Sequence, residues 1–197
     1  MGKELELKYR IGDQEQFSSL CDLLEERYPG NWSQIAMATT YYDTADRRLS
    51  KKHWTLRIRT ENGENVLTCK TPHADNSRNE WEVHEGALPH GLMALVRRGA
   101  PEELMELHNL PLFGICGARF TRRCRVLQLA DAVAELALDR GVLLGGGKEL
   151  PFWELELELK SGNPQGIYDW CCRFAQENDL VAEPRSKFAR ASGLEGE

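Results

Sequence analysis

The sequence predicts an α+β fold: an eight-stranded antiparallel β-barrel with helices packed outside it and a helix at the C-terminal end. Three observations carry that expectation. Charged and apolar residues alternate strictly near both ends of the chain, in Glu4-Leu5-Glu6-Leu7-Lys8-Tyr9-Arg10-Ile11 and from Glu154 to Lys160, which is strand periodicity. The same period of two returns in the interior, as in Arg57-Ile58-Arg59 and around Trp81 in Arg78-Asn79-Glu80-Trp81-Glu82. Turn signals at Asp43–Asp46, Glu61-Asn62-Gly63 and Pro72–Ser77 cut this stretch into short strands. About eight such strands are enough to close a sheet upon itself.

Taken in order, the first strand covers 4–11 and ends at Gly12-Asp13. Asp13 then serves as N-cap of a helix over about 14–28, with Phe17, Leu20, Leu24 and Tyr28 on one side. Pro29-Gly30 stops it. Strands follow near 33–43, 54–60, 65–71 and 79–85. Residues 89–110 turn helical in two short pieces, split at Gly99-Ala100-Pro101. Strand character returns at 116–129, 132–139 and 152–160, and Gly145-Gly146-Gly147 makes the last connection a hairpin loop. That glycine run lacks the Lys-Ser/Thr of a phosphate-binding P-loop. Asn163-Pro164 opens a helix to about 178, and a short helix follows Pro184. The expectation is one domain over 1–197, its core at about 3–190.

Composition narrows the function. The 197 residues carry 25 basic and 31 acidic side chains, a net charge of −6, which argues against a nucleic-acid binder. No apolar run approaches the length needed to span a bilayer, and the start has no hydrophobic segment of the secretory kind. The cysteines Cys21, Cys69, Cys116, Cys124, Cys171 and Cys172 form neither a CxxC pair nor a zinc spacing. Reduced thiols in a cytoplasmic protein, without membrane or nucleic-acid partners, are expected.

The position of the charges says more than their sum. On a strand, residues two apart share a face at roughly 6.6 Å; on a helix they would lie about 200° apart. Glu4, Glu6 and Lys8 therefore share a face, as do Glu154, Glu156 and Glu158. Like charges at about 6.6 Å repel by on the order of 0.6 kcal/mol even in water. Such rows make sense if a cation compensates them.

Closing the sheet would gather every charged face into the lumen and turn the Leu, Val and Trp side outward. Glu4, Glu6, Glu80, Glu82, Glu135, Asp139, Glu154, Glu156 and Glu158 would meet Lys8, Arg10, Arg57, Arg59, Lys70, Arg78 and Arg122 there. Guanidinium forks suit phosphate oxygens, and carboxylate clusters suit Mg²⁺ or Mn²⁺.

These residues carry a family resemblance. Glu4-x-Glu6-x-Lys8 resembles the ExExK signature of the CYTH superfamily, the triphosphate tunnel metalloenzymes. Tyr42-Asp43-Thr44 is similar to its YYDT segment, Leu56-Arg57-Ile58-Arg59 to its LRxR strand, and Thr68-Cys69-Lys70 to its lysine-ending strand. Arg78-x-Glu80-x-Glu82, Glu135 through Gly141, Glu154-x-Glu156-x-Glu158 and Ser186-Lys187-x-x-Arg190 continue the series. The pattern comes nearest to the bacterial inorganic triphosphatases.

The resemblance implies a tunnel in which a divalent metal, Mg²⁺ or Mn²⁺, assists hydrolysis of inorganic triphosphate to diphosphate and phosphate. It implies Glu4, Glu6 and Lys8 as catalytic residues. Glu4, Glu6, Glu154 and Glu156 would hold metal. Lys8, Arg57, Arg59, Lys70, Arg122 and Lys187 would grip the polyphosphate. Arg10, Arg78, Glu80, Glu82, Glu135, Asp139 and Glu158 stand in second rank.

Two matters stay open. Arg122 faces inward in one strand phase, with Cys124, whereas Arg123 and Arg125 do so in the other. Thiamine or nucleoside triphosphate hydrolysis, adenylate cyclisation of the class IV type, and a non-catalytic polyphosphate- or nucleotide-binding module are the alternatives. Trp54, Trp81 and Trp153 have the outward parity and read as core packing. His53, His73 and His84 read as surface or gating residues.

Overall fold

The computed structural model describes residues 5–73 and 78–196. The chain opens with β1 (Glu6–Arg10), α1 (Gln14–Arg27) and β2 (Ser33–Asp43). Asp13 caps α1 by accepting the Gln16 N–H at 2.9 Å, as its place before the helix requires. A one-turn helix, α2 (Arg48–Lys51), leads to β3 (Thr55–Glu61), β4 (Glu64–Pro72) and β5 (Arg78–Val83). Helix α3 (Leu88–Arg97) and a 3-10 turn at Glu102–Leu107 occupy the region expected to be helical. Then come the three longest strands, β6 (Phe113–Gln128), β7 (Ala132–Gly145) and β8 (Lys148–Gly162). Helix α4 (Pro164–Glu177), the two-residue β9 (Val181–Ala182) and α5 (Lys187–Gly193) complete it.

All pairings among the described residues are antiparallel, and the strands form one sheet in the order β5-β4-β3-β2-β6-β7-β8-β1-β9. The expected antiparallel sheet with helices outside it is borne out, and the barrel needs one refinement. Among the described residues the sheet has nine strands and is not closed, with β5 at one edge and β9, paired to Tyr9 and Arg10 of β1, at the other. The sheet nevertheless curls: Arg78, Glu80 and Glu82 from one edge strand and Ala182 from the other line the same cavity. Strand β7 also runs past 139 to Gly145, and Gly146 and Gly147 turn into β8 with φ of 56° and 73°. Two successive positive φ values give the tight turn that matches strand twist.

The apolar parity packs outward, as the alternation requires. Leu136, Leu138, Leu155 and Leu157 join Phe17, Leu20 and Leu24 of α1 and Trp170 and Phe174 of α4 in one core cluster. Leu56, Leu67 and Cys69 join Leu92 and Leu95 of α3 in a second, with Trp54 and Trp81 against it. A smaller third cluster seats Ala191 and Leu194 against Tyr41, Cys116 and Phe152. Asp43, fully buried, accepts from the Thr44, Leu49 and Ser50 backbone N–H groups at 2.8–2.9 Å and from the Ser50 hydroxyl at 2.7 Å. It closes α2 and fixes the entry into β3, a structural reason for the Tyr42-Asp43-Thr44 segment.

Candidate active site

Strand register sets the charged face residue by residue. Across β1 and β8 it pairs Glu6 with Glu158, Lys8 with Glu156 and Arg10 with Glu154. Across β8 and β7 it continues from Glu158 to Glu135 and from Glu154 to Asp139, and β6 then sets Arg122 opposite Asp139. On the other wing, Tyr41 of β2 faces Arg57 of β3, Lys70 of β4 faces Glu80 of β5, and Thr68 faces Glu82. Between the wings lie Ile35, Met37 and Phe120, an uncharged strip. The resulting cavity measures about 800 Å³ and is roofed on one side by Ser186, Lys187 and Phe188.

The strand phase left open by the sequence is settled by contacts. Arg122 points into the concave face: its Nε and Nη2 donate to Asp139 Oδ1 and Oδ2 at 2.8 Å each, and it also reaches Glu156. Arg123 lies on the opposite face with Glu25, and Arg125 donates to the Tyr28 and Pro29 carbonyls there. Both guanidinium groups flank the Trp32 ring.

The cations fall into two kinds. Arg122 and Lys187 are tightly paired. Lys187 Nζ lies 2.9 Å from Asp139, 3.2 Å from Glu154 and 2.7 Å from Glu156. Burial opposes its charge, yet these three carboxylates raise its affinity for the proton well above the ordinary lysine value. Glu156 answers in kind: burial pushes its carboxyl up, but Lys187, Arg122 and Lys8 pull it far below the carboxylate range.

The other kind is loosely held. Arg57 Nη2 stands 3.6 Å from Glu80 and 3.9 Å from Glu82, and Arg59 Nη2 is 3.7 Å from Glu82. Arg57 Nε and Arg59 Nε are buried and make no hydrogen bond among the described residues. Arg59 Nε does touch the Glu61 carboxylate, though not in hydrogen-bond geometry; Arg57 Nε has no such neighbour there. A buried donor left unmade is costly, so either group would gain from an acceptor in the cavity. Lys70 Nζ lies on the same wing, paired with Glu80 at 3.2 Å.

The sequence-based candidates sort accordingly. Glu6, Lys8, Arg57, Arg59, Lys70, Arg78, Glu80, Glu82, Arg122, Glu135, Glu156, Glu158 and Lys187 line the cavity. Glu4 lies outside the described residues. Arg10 is exposed and does not line it. Asp139 and Glu154 are 0% exposed and sit behind the lining. Glu154 pairs with Arg190 and Lys187, which ties α5 to β8.

Charge alternation did not reveal Tyr41, Thr39 or Phe120, which line the cavity from strands that carry few charges there. Glu183 was missed as well. It lines the cavity just before Pro184, and the Arg185 side chain and backbone hold its carboxyl down at about 2 against burial. His53, His73 and His84 are exposed.

Glu6, Glu158 and Glu135 form one row of direct cross-strand neighbours on the cavity wall. Lys160 Nζ lies 2.7 Å from Glu158 and 4.0 Å from Glu135. Carboxylate oxygens are the donor chemistry that a hard divalent cation takes. Among the described residues no three acidic, His or Cys side chains converge at ligating spacing.

The family model described as the CYTH domain matches residues 2–190. The chain belongs to the CYTH family. Its CYTH domain is 30% identical over 203 aligned positions to an inorganic triphosphatase of Haemophilus influenzae, an alignment covering 96% of this chain and 54% of the relative. The chain thus spans about half the length of that curated relative. Among solved structures, the CYTH domain resembles a candidate adenylyl cyclase from Hippeastrum with a dominant triphosphatase activity, at a TM-score of 0.65 and 20% identity. That match covers 95% of this chain and 94% of the other. A candidate adenylate cyclase from Bacillus halodurans follows at 0.60 and 21% identity, covering 94% and 96%. Identities this low speak for the fold alone. Among the described residues no helix is long and apolar enough to cross a membrane.

Proposed function

We propose that this CYTH domain hydrolyses inorganic triphosphate to diphosphate and phosphate with a divalent metal, Mg²⁺ or Mn²⁺. The observation that carries the reading is the pair of buried donors at Arg57 Nε and Arg59 Nε, without a hydrogen bond among the described residues, on guanidinium groups that line a polar cavity. A phosphate oxygen is the acceptor that a guanidinium fork matches best. The Haemophilus relative, an inorganic triphosphatase, supports the same substrate.

In this reading Arg57, Arg59 and Lys70 bind and orient the polyphosphate from the β3–β5 wing. Lys8 approaches from β1, 3.4 Å from Glu6 and 3.9 Å from Glu156, and donates to oxygens on which charge grows during transfer. Glu6, Glu158 and Glu135, with Glu4 as the further member of the ExExK segment, would hold the metal. When bound, the metal supplies Lewis-acid neutralisation of phosphate charge and a lowered water pKa. Arg122, Asp139, Glu156 and Lys187 keep the wall charged yet internally compensated. No Ser, Cys or His nucleophile is required. The buried thiols would make poor nucleophiles, because burial raises Cys69 and Cys116 to about 12 and the thiolate is the reactive form.

The uncharged strip of Ile35, Met37 and Phe120 leaves an organic triphosphate as the second reading. Phosphorus NMR of tripolyphosphate, ATP and thiamine triphosphate incubated with the protein tests both, with Mg²⁺, Mn²⁺ or chelator. Diphosphate and phosphate from tripolyphosphate, abolished by chelator, is the expected outcome. Preferred turnover of an organic triphosphate would shift the assignment to that class, and cyclic AMP from ATP would make it a cyclase. No turnover of any of the three would leave a binding module.

A further inference from the structure

Tyr41 is 6% exposed and lines the cavity from β2, directly opposite Arg57 on β3. Immediately after it the β2–β6 register shifts, between Tyr41 and Tyr42. Such irregularities re-aim a side chain. The Tyr41 ring packs on Phe188 of α5 with centroids 5.0 Å apart at 54°. The preceding residue of α5, Lys187, is the one that grips Asp139, Glu154 and Glu156. One helix therefore touches both wings of the cavity, through Lys187 on β7 and β8 and through Phe188 on β2.

Arg57 needs something to hold it. Its carboxylate neighbours stand at 3.6 and 3.9 Å, beyond hydrogen-bond range, and its Nε has no partner among the described residues. Tyr41 stands with Glu80 and Glu82 among the groups that favour the charged guanidinium, and it alone of the three brings a hydroxyl, from the position directly opposite on β2. Burial works against the charge on Arg57; Tyr41, Glu80 and Glu82 together outweigh it and keep the proton firmly bound. A neutral acceptor orients a guanidinium without cancelling its charge. Arg122 shows the contrast, since Asp139 and Glu156 both fix and neutralise it.

We propose that Tyr41 is a positioning residue for Arg57, aiming its guanidinium into the cavity and tying that aim to the seating of the C-terminal helix through Phe188. The proposal rests on the triphosphate reading above and adds to it a link between α5 and the grip on phosphate.

The test is a double-mutant cycle on tripolyphosphate binding, followed by calorimetry with thermal unfolding alongside. Tyr41→Phe keeps the ring on Phe188 and removes the hydroxyl. It is expected to weaken binding by about two- to tenfold, the worth of one hydrogen bond, with the unfolding temperature held. In an Arg57→Lys background the same change should add nothing, since the two act as a unit. Phe188→Leu should also weaken binding, and by less once the hydroxyl is gone.

Unchanged affinity of Tyr41→Phe, or additive effects with Arg57→Lys, would overturn the positioning role. A Phe188→Leu effect independent of the hydroxyl would overturn the link to α5. Absence of tripolyphosphate binding by the wild type would instead bring down the triphosphate reading, and this proposal with it.

Discussion

Arg122 and Asp139 face each other directly across β6 and β7 and share a two-point contact, each N–H to its own oxygen at 2.8 Å. Asp139 is fully buried and is shared with Lys187 at 2.9 Å. Removing this one carboxylate leaves two buried cations to share Glu156, with Glu154 as the remaining partner of Lys187. Asp139→Ala is expected to lower stability by about 3–5 kcal/mol. The midpoint of urea unfolding measures it, and a loss below about 1 kcal/mol would show that Glu156 and Glu154 suffice for both cations.

The opposite phase of the same strand supplies the control. Arg123 points away from the cavity to Glu25 and Trp32, and exposed ion pairs contribute little. Arg123→Ala should leave tripolyphosphate turnover within about twofold and stability within about 1 kcal/mol. Steady-state kinetics on the purified variant checks this, and a large loss of kcat/KM would place Arg123 in the site.

The pH dependence follows from Glu156 and Lys187. Glu156 is depressed in the folded protein, so its contribution is present above the unfolded carboxylate value of about 4.3 and is lost as pH falls toward the folded value. Lys187 is raised. Its contribution is complete below the unfolded lysine value of about 10.4 and fades only as pH climbs through the folded one. Stability from this cluster should therefore be flat between about pH 5 and 10 and fall on the acid side. Glu156→Gln should lower the plateau and flatten the acid limb in a plot of unfolding temperature against pH.

Gly141 lies where β7 crosses Phe120. A Cβ built there would sit 2.0 Å from the Arg119 carbonyl oxygen and 2.5 Å from Phe120 Cα. Backbone cannot give way cheaply, so Gly141→Ala should destabilise by about 1–3 kcal/mol or more. Because Phe120 lines the cavity and its ring lies 5.0 Å from Lys187 Nζ, tripolyphosphate affinity should fall too. Thermal unfolding and calorimetry on the variant read the two effects separately.

Strand parity was the legible part of this molecule. Leu5, Leu7, Leu155 and Leu157 reveal which side packs under helices, and their alternation alone puts Glu6, Glu156 and Glu158 on the other side. Arg122, Arg123 and Arg125 defeated the same logic, because three arginines in four positions satisfy either phase. Only the partner strand, with Asp139 on one face and α1 with Glu25 on the other, decides it. The added edge strand was equally hidden: the two residues of β9 carry no periodicity, yet they pair with the end of β1. Glu154 illustrates a further limit: its face was readable, but not that Lys187 and Arg190 of α5 would occupy it.

The triphosphate reading turns on whether the buried guanidinium donors of Arg57 and Arg59 on β3 take a polyphosphate as their acceptor. Equilibrium binding of tripolyphosphate to the wild type and to the Arg57→Ala, Arg59→Ala double variant decides this, in chelator so that no metal contributes. Binding by the wild type is expected, with a loss of about 100-fold or more in the double variant, as when two charge-assisted contacts are removed. Equal affinity of the two proteins would contradict the reading.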